Sequence, residues 1–270
     1  MPDTDKVFAG SIPKLYDEYL VPMIFAVYAE DIARRVAARS PSTLLEIAAG
    51  TGAVTRAVAA ALPRGVRYVA TDLNEPMLAV AAQRQANDDR ITWQQADGMA
   101  LPFGDAAFDV VCCQFGAMFF PDRIKAYGEV KRVLKGDGTF VFNVWDRIED
   151  NVLTHEATAA LEKLFPDDPP RFMVRTPHGY HDKAVIRSDL ERAGFRDIAI
   201  ETRSDISRAP SAEYVAIALC QGTPLRSEIE ARDAGKLQAA TDMVAEAIRM
   251  RHGFGPVEGK IQAIVIEARP

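Results

Sequence analysis

Two glycines and an acidic residue are spaced as a site for a nucleoside-type ligand. Gly50 and Gly52 lie in a turn between an apolar run, 44–47, and an alanine-rich run, 54–62. Glycine adopts backbone angles that other residues avoid, and it leaves no side chain between the backbone and a ligand. The first N–H groups of a following helix remain free to bind a polar or anionic group. The sequence therefore predicts that a nucleoside-type cofactor binds at this turn.

Asp72 is the strongest single candidate for a binding side chain. It follows the apolar run 66–71, which predicts a second strand, and it lies twenty residues after Gly52. In a nucleotide-binding α/β sheet, an acid at this position accepts hydrogen bonds from ribose hydroxyls. The alternative role is capping of a helix N-terminus, because Asp72 and Asn74 both precede a helix that has Pro76 in its first turn.

The spacing of Glu46 and Gly50 resembles a known family. Glu46 lies four residues before Gly50, and Thr55 occupies the position where a dinucleotide-binding turn requires a third Gly or Ala. The Glu-x-x-x-Gly-x-Gly arrangement resembles motif I of the class I S-adenosylmethionine-dependent methyltransferases. The runs 101–111 and 133–141 also resemble this family, in its ubiquinone- and menaquinone-biosynthesis-like group (methyltransferase type 11).

The resemblance is strong over 43–145 and loose over 1–42, and it implies S-adenosyl-L-methionine as the cofactor. In that family the glycine turn approaches the methionine part, and an acid after strand three, here Asp97, contacts the adenine amine. Asp97 also fits a plain turn residue. The cofactor-binding residues predicted here are Glu46, Ala48, Gly50, Thr51, Gly52, Asp72, Leu73, Met77, Asp97, Gly98, Met99, Gln114 and Phe115.

Alternating strand and helix patterns predict the elements that must position these residues. We expect an α/β fold with a Rossmann-like, seven-stranded, mostly parallel sheet and helices on both faces. An N-terminal lid and added helices between strands six and seven complete it. We expect a single domain, 1–270, whose parts are a lid (1–42), a core (43–145), two substrate-cap segments (146–194 and 207–258) and a last strand (259–270).

Three local predictions concern the second half of the chain. Residues 135–138 read as a turn before a strand that starts at 139, residues 171–182 as a loop, and residues 227–251 as one helix. The cap segments have two alternative roles, as a structural buttress or as a dimer surface.

The chemistry implied by the resemblance is methyl transfer to a nucleophilic O, N, C or S atom. Alignment of the reacting atoms is the protein's main contribution to such a displacement. A general base is optional, and the candidates are Tyr16, His178 and His181. The alternative for both histidines is an ordinary surface loop, and Tyr16 has the alternative of packing on the sheet.

Composition and charge argue against several classes of binding partner. A net charge of -6 over 270 residues argues against a nucleic-acid-binding surface, and no apolar run approaches the length of a membrane span. The N-terminus lacks a signal-peptide pattern, so we expect a cytoplasmic protein. The three cysteines lack metal-ligand spacing, so no metal site is predicted. The sequence leaves open a homodimer.

The function predicted is an S-adenosylmethionine-dependent methyltransferase acting on an unidentified small molecule, the methyl acceptor. One alternative is a non-catalytic protein that only binds the cofactor. A second alternative is an NAD-dependent oxidoreductase, because Tyr127 and Lys131 match the Tyr-x-x-x-Lys pattern of short-chain dehydrogenases. Thr55 disfavours that alternative.

Overall fold

The computed structural model describes residues 2–270, and its first elements form the N-terminal segment. A 3-10 helix (Asp3–Lys6) is followed by helix α1 (Ile12–Leu15), a π-helical stretch (Tyr16–Phe25) and helix α2 (Ala26–Ala38). The chain is thus helical from residue 12 to residue 38. Pro22 lies within the π-helical stretch, where its missing N–H removes one backbone hydrogen bond.

Seven strands form one sheet in the order β3-β2-β1-β4-β5-β7-β6. All neighbouring pairs from β3 to β5 are parallel, and β7 runs antiparallel to both of its neighbours. This confirms the predicted Rossmann-like, mostly parallel sheet. The strands are β1 (Thr43–Ile47), β2 (Arg67–Asp72), β3 (Ile91–Gln95), β4 (Phe108–Gln114), β5 (Leu134–Trp145), β6 (Asp197–Ala209) and β7 (Val257–Arg269).

Helices cover both faces of the sheet, as predicted. The remaining ones are α3 (Ala53–Ala61), α4 (Glu75–Arg84), α5 (Arg123–Val133), α6 (Val152–Leu164), α7 (Phe172–Arg175), α8 (Lys183–Arg192), α9 (Ala212–Gln221), α10 (Leu225–Arg232) and α11 (Leu237–His252). The adjacent, fully buried Cys112 and Cys113 belong to two different hydrophobic clusters, one on each face. Successive strand residues point to opposite faces, so both cysteines serve packing.

Three local predictions are wrong. Strand β5 begins at Leu134, before the predicted turn at 135–138. Leu134 already pairs with Phe108 of β4, and the register of the two strands then shifts. The predicted loop 171–182 contains the short helix α7. The predicted helix 227–251 is two helices, because Asp233–Lys236 interrupts it and the Asp233 side chain accepts the N–H of Gly235. Helices α6, α9 and α11 pack together beside the sheet.

Candidate cofactor cleft and adjoining cavity

The strand order changes direction between β1 and β4, and a cleft lies at the carboxyl ends of the strands around that point. This is the usual ligand position in an open α/β sheet. The cleft has a volume of about 220 Å³ and is lined by residues that follow β1, β2, β3 and β4. The N-terminal segment covers it with Phe8 and Tyr16.

Ten of the thirteen residues predicted to bind the cofactor line this cleft. Glu46, Thr51 and Gly52 do not: Glu46 is buried in β1, and Thr51 and Gly52 are buried within the turn. The ten lining residues are Ala48, Gly50, Asp72, Leu73, Met77, Asp97, Gly98, Met99, Gln114 and Phe115. The structure therefore brings together side chains from four separate strand ends, as the sequence predicts.

The Asp72 carboxylate joins the ends of β1 and β2. Its Oδ2 accepts the N–H of Gly50 at 2.8 Å, and its Oδ1 accepts the N–H of Asn74 at 2.8 Å. Asn74 is the first flanking residue of α4, but its own side chain makes no capping bond. Burial raises the pKa of Asp72, and the hydrogen bonds from Asn74 and Gly50 oppose that rise. Oδ1 also accepts the Asn74 side-chain amide at 3.4 Å, so Oδ2 is the oxygen that offers a lone pair to a ligand hydroxyl.

Asp97 has the turn role considered for it, and it also lies at the cleft. It lines the cleft, and its Oδ1 accepts the N–H of Met99 at 2.8 Å within a tight turn. The turn fixes the direction of the carboxylate and places Gly98 against the Phe120 ring. A Cβ at Gly98 would lie 2.9 Å from that ring, so the close approach needs glycine.

The sequence pattern does not indicate which groups bind the Glu46 carboxylate. Its Oε2 accepts a 2.6 Å hydrogen bond from the Thr55 hydroxyl and a second, short one from the Tyr68 hydroxyl. Thr55 therefore occupies the third-glycine position because it holds Glu46, and the pair fixes β1 to α3. Burial raises the pKa of Glu46 to about 7, although Thr55 and Tyr68 oppose the rise.

We expect Glu46 to make the stability of the protein pH-dependent. Its folded-state pKa lies above the ordinary value of 4.5, so the folded state holds the proton more tightly than the unfolded state. The contribution of Glu46 to stability is then largest below about pH 4.5, and about 3 kcal/mol of it is lost as the pH rises to about 7. Urea unfolding at several pH values in this window measures the free energy of unfolding, which should change less with pH in Glu46→Gln than in the natural protein. An equal change with pH in the two proteins would contradict the assignment.

Two of the four non-glycine residues with positive φ among residues 2–270 lie at the ends of the two central strands. Ala48 follows β1 and Phe115 follows β4, and both have positive φ values, 55° and 50°. Positive φ costs energy for residues other than glycine and persists where the surroundings enforce it. Phe115 is held by its N–H bond to the Asn143 side chain and by stacking on Trp145, with ring centroids 3.9 Å apart. Both strained residues line the cleft.

Tyr16 lies over the cleft on the N-terminal segment. Its ring stacks on Phe25 at 5.0 Å. Burial, followed by repulsion from the carboxylates of Asp72 and Asp17, raises the pKa of Tyr16 well above its usual range. The hydroxyl therefore stays protonated, which suits a hydrogen-bond donor better than a general base.

The sequence predicts a lid over residues 1–42, but it does not mark Lys6, Phe8 or Asn74 as residues that line the cleft. All three line the cleft, and the N–H of Phe8 donates to the Asn74 Oδ1 at 3.3 Å. No local pattern marks these residues, because the contact joins positions 66 residues apart.

A buried ion pair ties the N-terminal segment to the second half of the chain. Asp5 is 1% exposed, and Arg175 donates to both of its carboxylate oxygens, at 2.6 Å and 3.1 Å. Arg175 also donates to Glu228 at 2.6 Å, and the Thr176 hydroxyl donates to Asp5. Asp5 immediately precedes the residues that cover the cleft, so this pairing fixes their position.

Arg175→Met should loosen the cover of the cleft. The buried Asp5 would lose its charged partner, at a cost of about 1.5–3 kcal/mol to local stability. We expect faster amide exchange at residues 5–8 and weaker binding in the cleft, with little change in global unfolding. Arg171→Met is the matched control, because the exposed side chain of Arg171 pairs with Glu162 at the surface. The backbone N–H of Arg171, which donates to Glu228 at 2.7 Å, is kept in this variant. Unchanged exchange in Arg175→Met would contradict this role.

A second cavity, of about 60 Å³, adjoins the cleft and shares four aromatic residues with it: Phe8, Tyr16, Phe115 and Phe119. Its other walls come from the N-terminal segment, the end of β5, the α7 region and the end of α9, the last two being parts of the predicted cap segments. They include Trp145, Phe172, Met173, His178, Leu219 and Thr223.

The two candidate histidines occupy different environments. His178 is 5% exposed and lines the second cavity. His181 is exposed and lines neither space, and its Nδ1 lies 2.8 Å from the carbonyl oxygen of His178. Tyr127 is fully buried away from the cleft, which leaves the dehydrogenase pattern without a site.

Within residues 2–270, no group of three or more His, Cys, Asp and Glu side chains is arranged to hold a metal ion. No helix in the same range is both long and apolar enough to cross a membrane.

Comparison with known sequences identifies the core. Residues 45–142 match the family described as "Methyltransferase domain". The demethylmenaquinone methyltransferase of Clavibacter sepedonicus is 41% identical over 108 residues, which are 40% of this chain and 43% of that protein. The ubiquinone/menaquinone biosynthesis C-methyltransferase UbiE of Marinomonas sp. is 26% identical over 58% of this chain and 67% of its own length. The chain thus spans less than half of the first of these relatives.

Solved structures show the same fold over most of the chain. The YcgJ protein of Bacillus subtilis has a TM-score of 0.56 at 21% identity and covers 90% of this chain and 98% of its own. The phosphoethanolamine N-methyltransferase 2 of Haemonchus contortus, solved in complex with S-adenosyl-L-methionine, has a TM-score of 0.57 at 17% identity, over 96% of this chain and 56% of its own.

The sequence match and the fold agree with the cleft at the strand ends. The sequence match spans β1 to β5, the strands around whose carboxyl ends the cleft lies. The core of the chain is thus similar in sequence to the demethylmenaquinone methyltransferase and UbiE enzymes, and residues 45–142 match the methyltransferase-domain family.

Proposed function

We propose that this protein transfers a methyl group from S-adenosyl-L-methionine to a small molecule. The observation that carries the proposal is the cleft itself, in which ten predicted binding residues from four strand ends surround one space. A smaller apolar cavity opens beside it, at the side where a methyl acceptor would enter. One site for the cofactor and one for the acceptor are the two spaces that the reaction requires.

The residues in the cleft fit this cofactor. Gln114 lines the cleft, and its buried Oε1 has no hydrogen-bond partner among residues 2–270, which suits the cationic methionine end. Asp72 offers a lone pair of Oδ2 to a ribose hydroxyl, and Asp97 offers lone pairs to the adenine amine. Met77 and Leu73 supply apolar contact for the rings. These assignments rest on the family resemblance together with the positions of the side chains.

The chain's own residues would act by positioning and by excluding water. When bound, the cofactor supplies a methyl group activated by a positively charged sulfur atom. Phe8, Tyr16 and Phe119 line both the cleft and the cavity. At this junction they would exclude water and hold the acceptor atom in line with the methyl group. Proximity of this kind accounts for a large share of the rate enhancement in displacement reactions.

We infer that both predicted cap segments help to bind the acceptor. His178 and Phe172 belong to segment 146–194, Leu219 and Thr223 belong to segment 207–258, and all four line the second cavity. The single domain with its lid, the homodimer, the exclusion of nucleic acid and the cytoplasmic location remain predictions from the sequence.

Calorimetric titration tests the cofactor. We expect micromolar binding of S-adenosylmethionine and S-adenosylhomocysteine and no binding of NADH. NADH binding without binding of the sulfur compounds would overturn the proposal. Formation of S-adenosylhomocysteine in the presence of candidate acceptors then tests catalysis, and binding without any turnover over a broad acceptor panel would indicate the non-catalytic alternative.

A further inference from the structure

The walls of the second cavity favour a flat, apolar occupant. Phe25, Phe115 and Trp145 line it, and the Phe115 and Trp145 rings are nearly parallel, at an interplanar angle of 10°. The volume of about 60 Å³ compares with roughly 10–15 Å³ for one water molecule on the same scale. By itself this volume is below the roughly 150 Å³ of a cavity that holds benzene. The cavity adjoins the cleft, however, and shares four aromatic walls with it, so a flat ring can lie where the two spaces meet.

His178 presents an unused hydrogen-bond acceptor at this cavity. Its Nδ1 lies 2.7 Å from the carbonyl oxygen of Asp146. A carbonyl oxygen only accepts, so Nδ1 carries the hydrogen and Nε2 carries the lone pair. No hydrogen bond within residues 2–270 uses Nε2. By contrast, the Thr223 hydroxyl already donates to Leu219 and accepts from Leu225.

We propose that the second cavity binds an aromatic ring of the methyl acceptor, and that His178 Nε2 accepts a hydrogen bond from a hydroxyl group on that ring. This inference rests on the methyltransferase function proposed above. It names the acceptor class as small hydroxylated aromatic compounds, and it makes His178 a residue that touches the substrate.

The surroundings keep His178 neutral before the reaction. Burial is the main cause that lowers its pKa to about 4, and the nearby His181 adds to the effect. The backbone hydrogen bond of Asp146 and the charges of Glu149 and Asp146 oppose it only in part. Nε2 is therefore free to accept a hydrogen bond at neutral pH.

Proton transfer to Nε2 also balances the charge in the cavity. The hydroxyl oxygen forms its bond to the methyl carbon while the carbon–sulfur bond breaks and leaves its electron pair on sulfur. The hydroxyl proton passes to Nε2, and the products are a methyl ether, S-adenosylhomocysteine and protonated His178. One positive charge is present in the apolar site before and after, having moved from sulfur to imidazole, so the burial that disfavours an isolated imidazolium is offset.

A matched pair of probes tests the hydrogen bond without turnover. Para-cresol carries a hydroxyl group, and para-methylanisole is its methyl ether, with no donor. Both are titrated by calorimetry into protein saturated with S-adenosylhomocysteine. We expect the ratio of cresol affinity to ether affinity to fall about five- to tenfold in His178→Phe, the scale of one hydrogen bond. The exposed His181→Phe is the matched control and should keep the natural ratio.

The outcomes separate the two proposals. If S-adenosylhomocysteine binds the natural protein but the affinity ratio is the same in His178→Phe, the role of His178 is wrong and the methyltransferase function stands. If S-adenosylhomocysteine does not bind, the proposed function itself fails. Should His178→Phe fail to fold, Leu219→Phe narrows the cavity from α9 without altering His178. Both probes should then bind at least tenfold more weakly, and unchanged binding would overturn the placement of the ring.

Discussion

Replacing Asp72 with alanine should weaken the binding of S-adenosylmethionine by about 1.5–3 kcal/mol, which is roughly a ten- to hundredfold loss of affinity. Two causes act together. The cofactor loses a charged acceptor for its hydroxyls, and charge-assisted hydrogen bonds are the stronger class. The Gly50 turn also loses the carboxylate that holds its N–H at 2.8 Å. Calorimetric titration of the purified variant measures the loss.

Two further variants distinguish a role of Asp72 in cofactor binding from a role in holding the Gly50 turn. Asp72→Asn keeps one carbonyl oxygen but no charge, so its affinity should lie between those of the natural protein and Asp72→Ala. Glu75→Ala removes an exposed acid three residues away that does not line the cleft, and it should bind normally. If Asp72→Ala lowers stability while the folded fraction binds with unchanged affinity, the carboxylate serves only the local structure.

Gly116→Ala should be the most damaging small substitution near the cleft. A Cβ at Gly116 would collide with the Cβ of Ala48 and lie 2.7 Å from the Cys113 sulfur. These contacts pack the end of β1 against the end of β4, the two strands at which the sheet order reverses. Overpacking of a close-packed interior costs about 1–3 kcal/mol. The displaced Ala48 and Phe115 would also narrow the cleft, so cofactor affinity should fall as well.

Gly128→Ala provides the control for the same chemical change. Gly128 lies inside α5, and a Cβ there would meet no atom within 4 Å. Alanine favours the helix interior by about 1 kcal/mol over glycine, so this variant should be slightly more stable. Urea unfolding of both variants gives the comparison. Equal effects at the two positions would show that the close approach of β1 and β4 does not limit stability.

The cofactor cleft was largely predictable because its signals are local. A glycine turn after a short apolar run, and an acid at the end of the next strand, are patterns within about twenty-five residues. In a parallel sheet those strand ends meet at one edge, so residues such as Gly50, Asp72 and Asp97 converge without any knowledge of side-chain packing. The sequence alone therefore determined the sheet and most of the residues that line the cleft, whereas the cofactor proposed for it came from the family resemblance.

The tertiary structure decided the features that depend on burial and on distant contacts. His178 and His181 are three residues apart and look equivalent in the sequence, but only His178 is buried beside the cavity. Asp5 and Arg175 are separated by 170 residues, and no local pattern pairs them. Glu46 turns away from the cleft because Thr55 and Tyr68 bind its carboxylate. Such choices follow from which groups the folded chain removes from water, and periodicity along the sequence does not encode them.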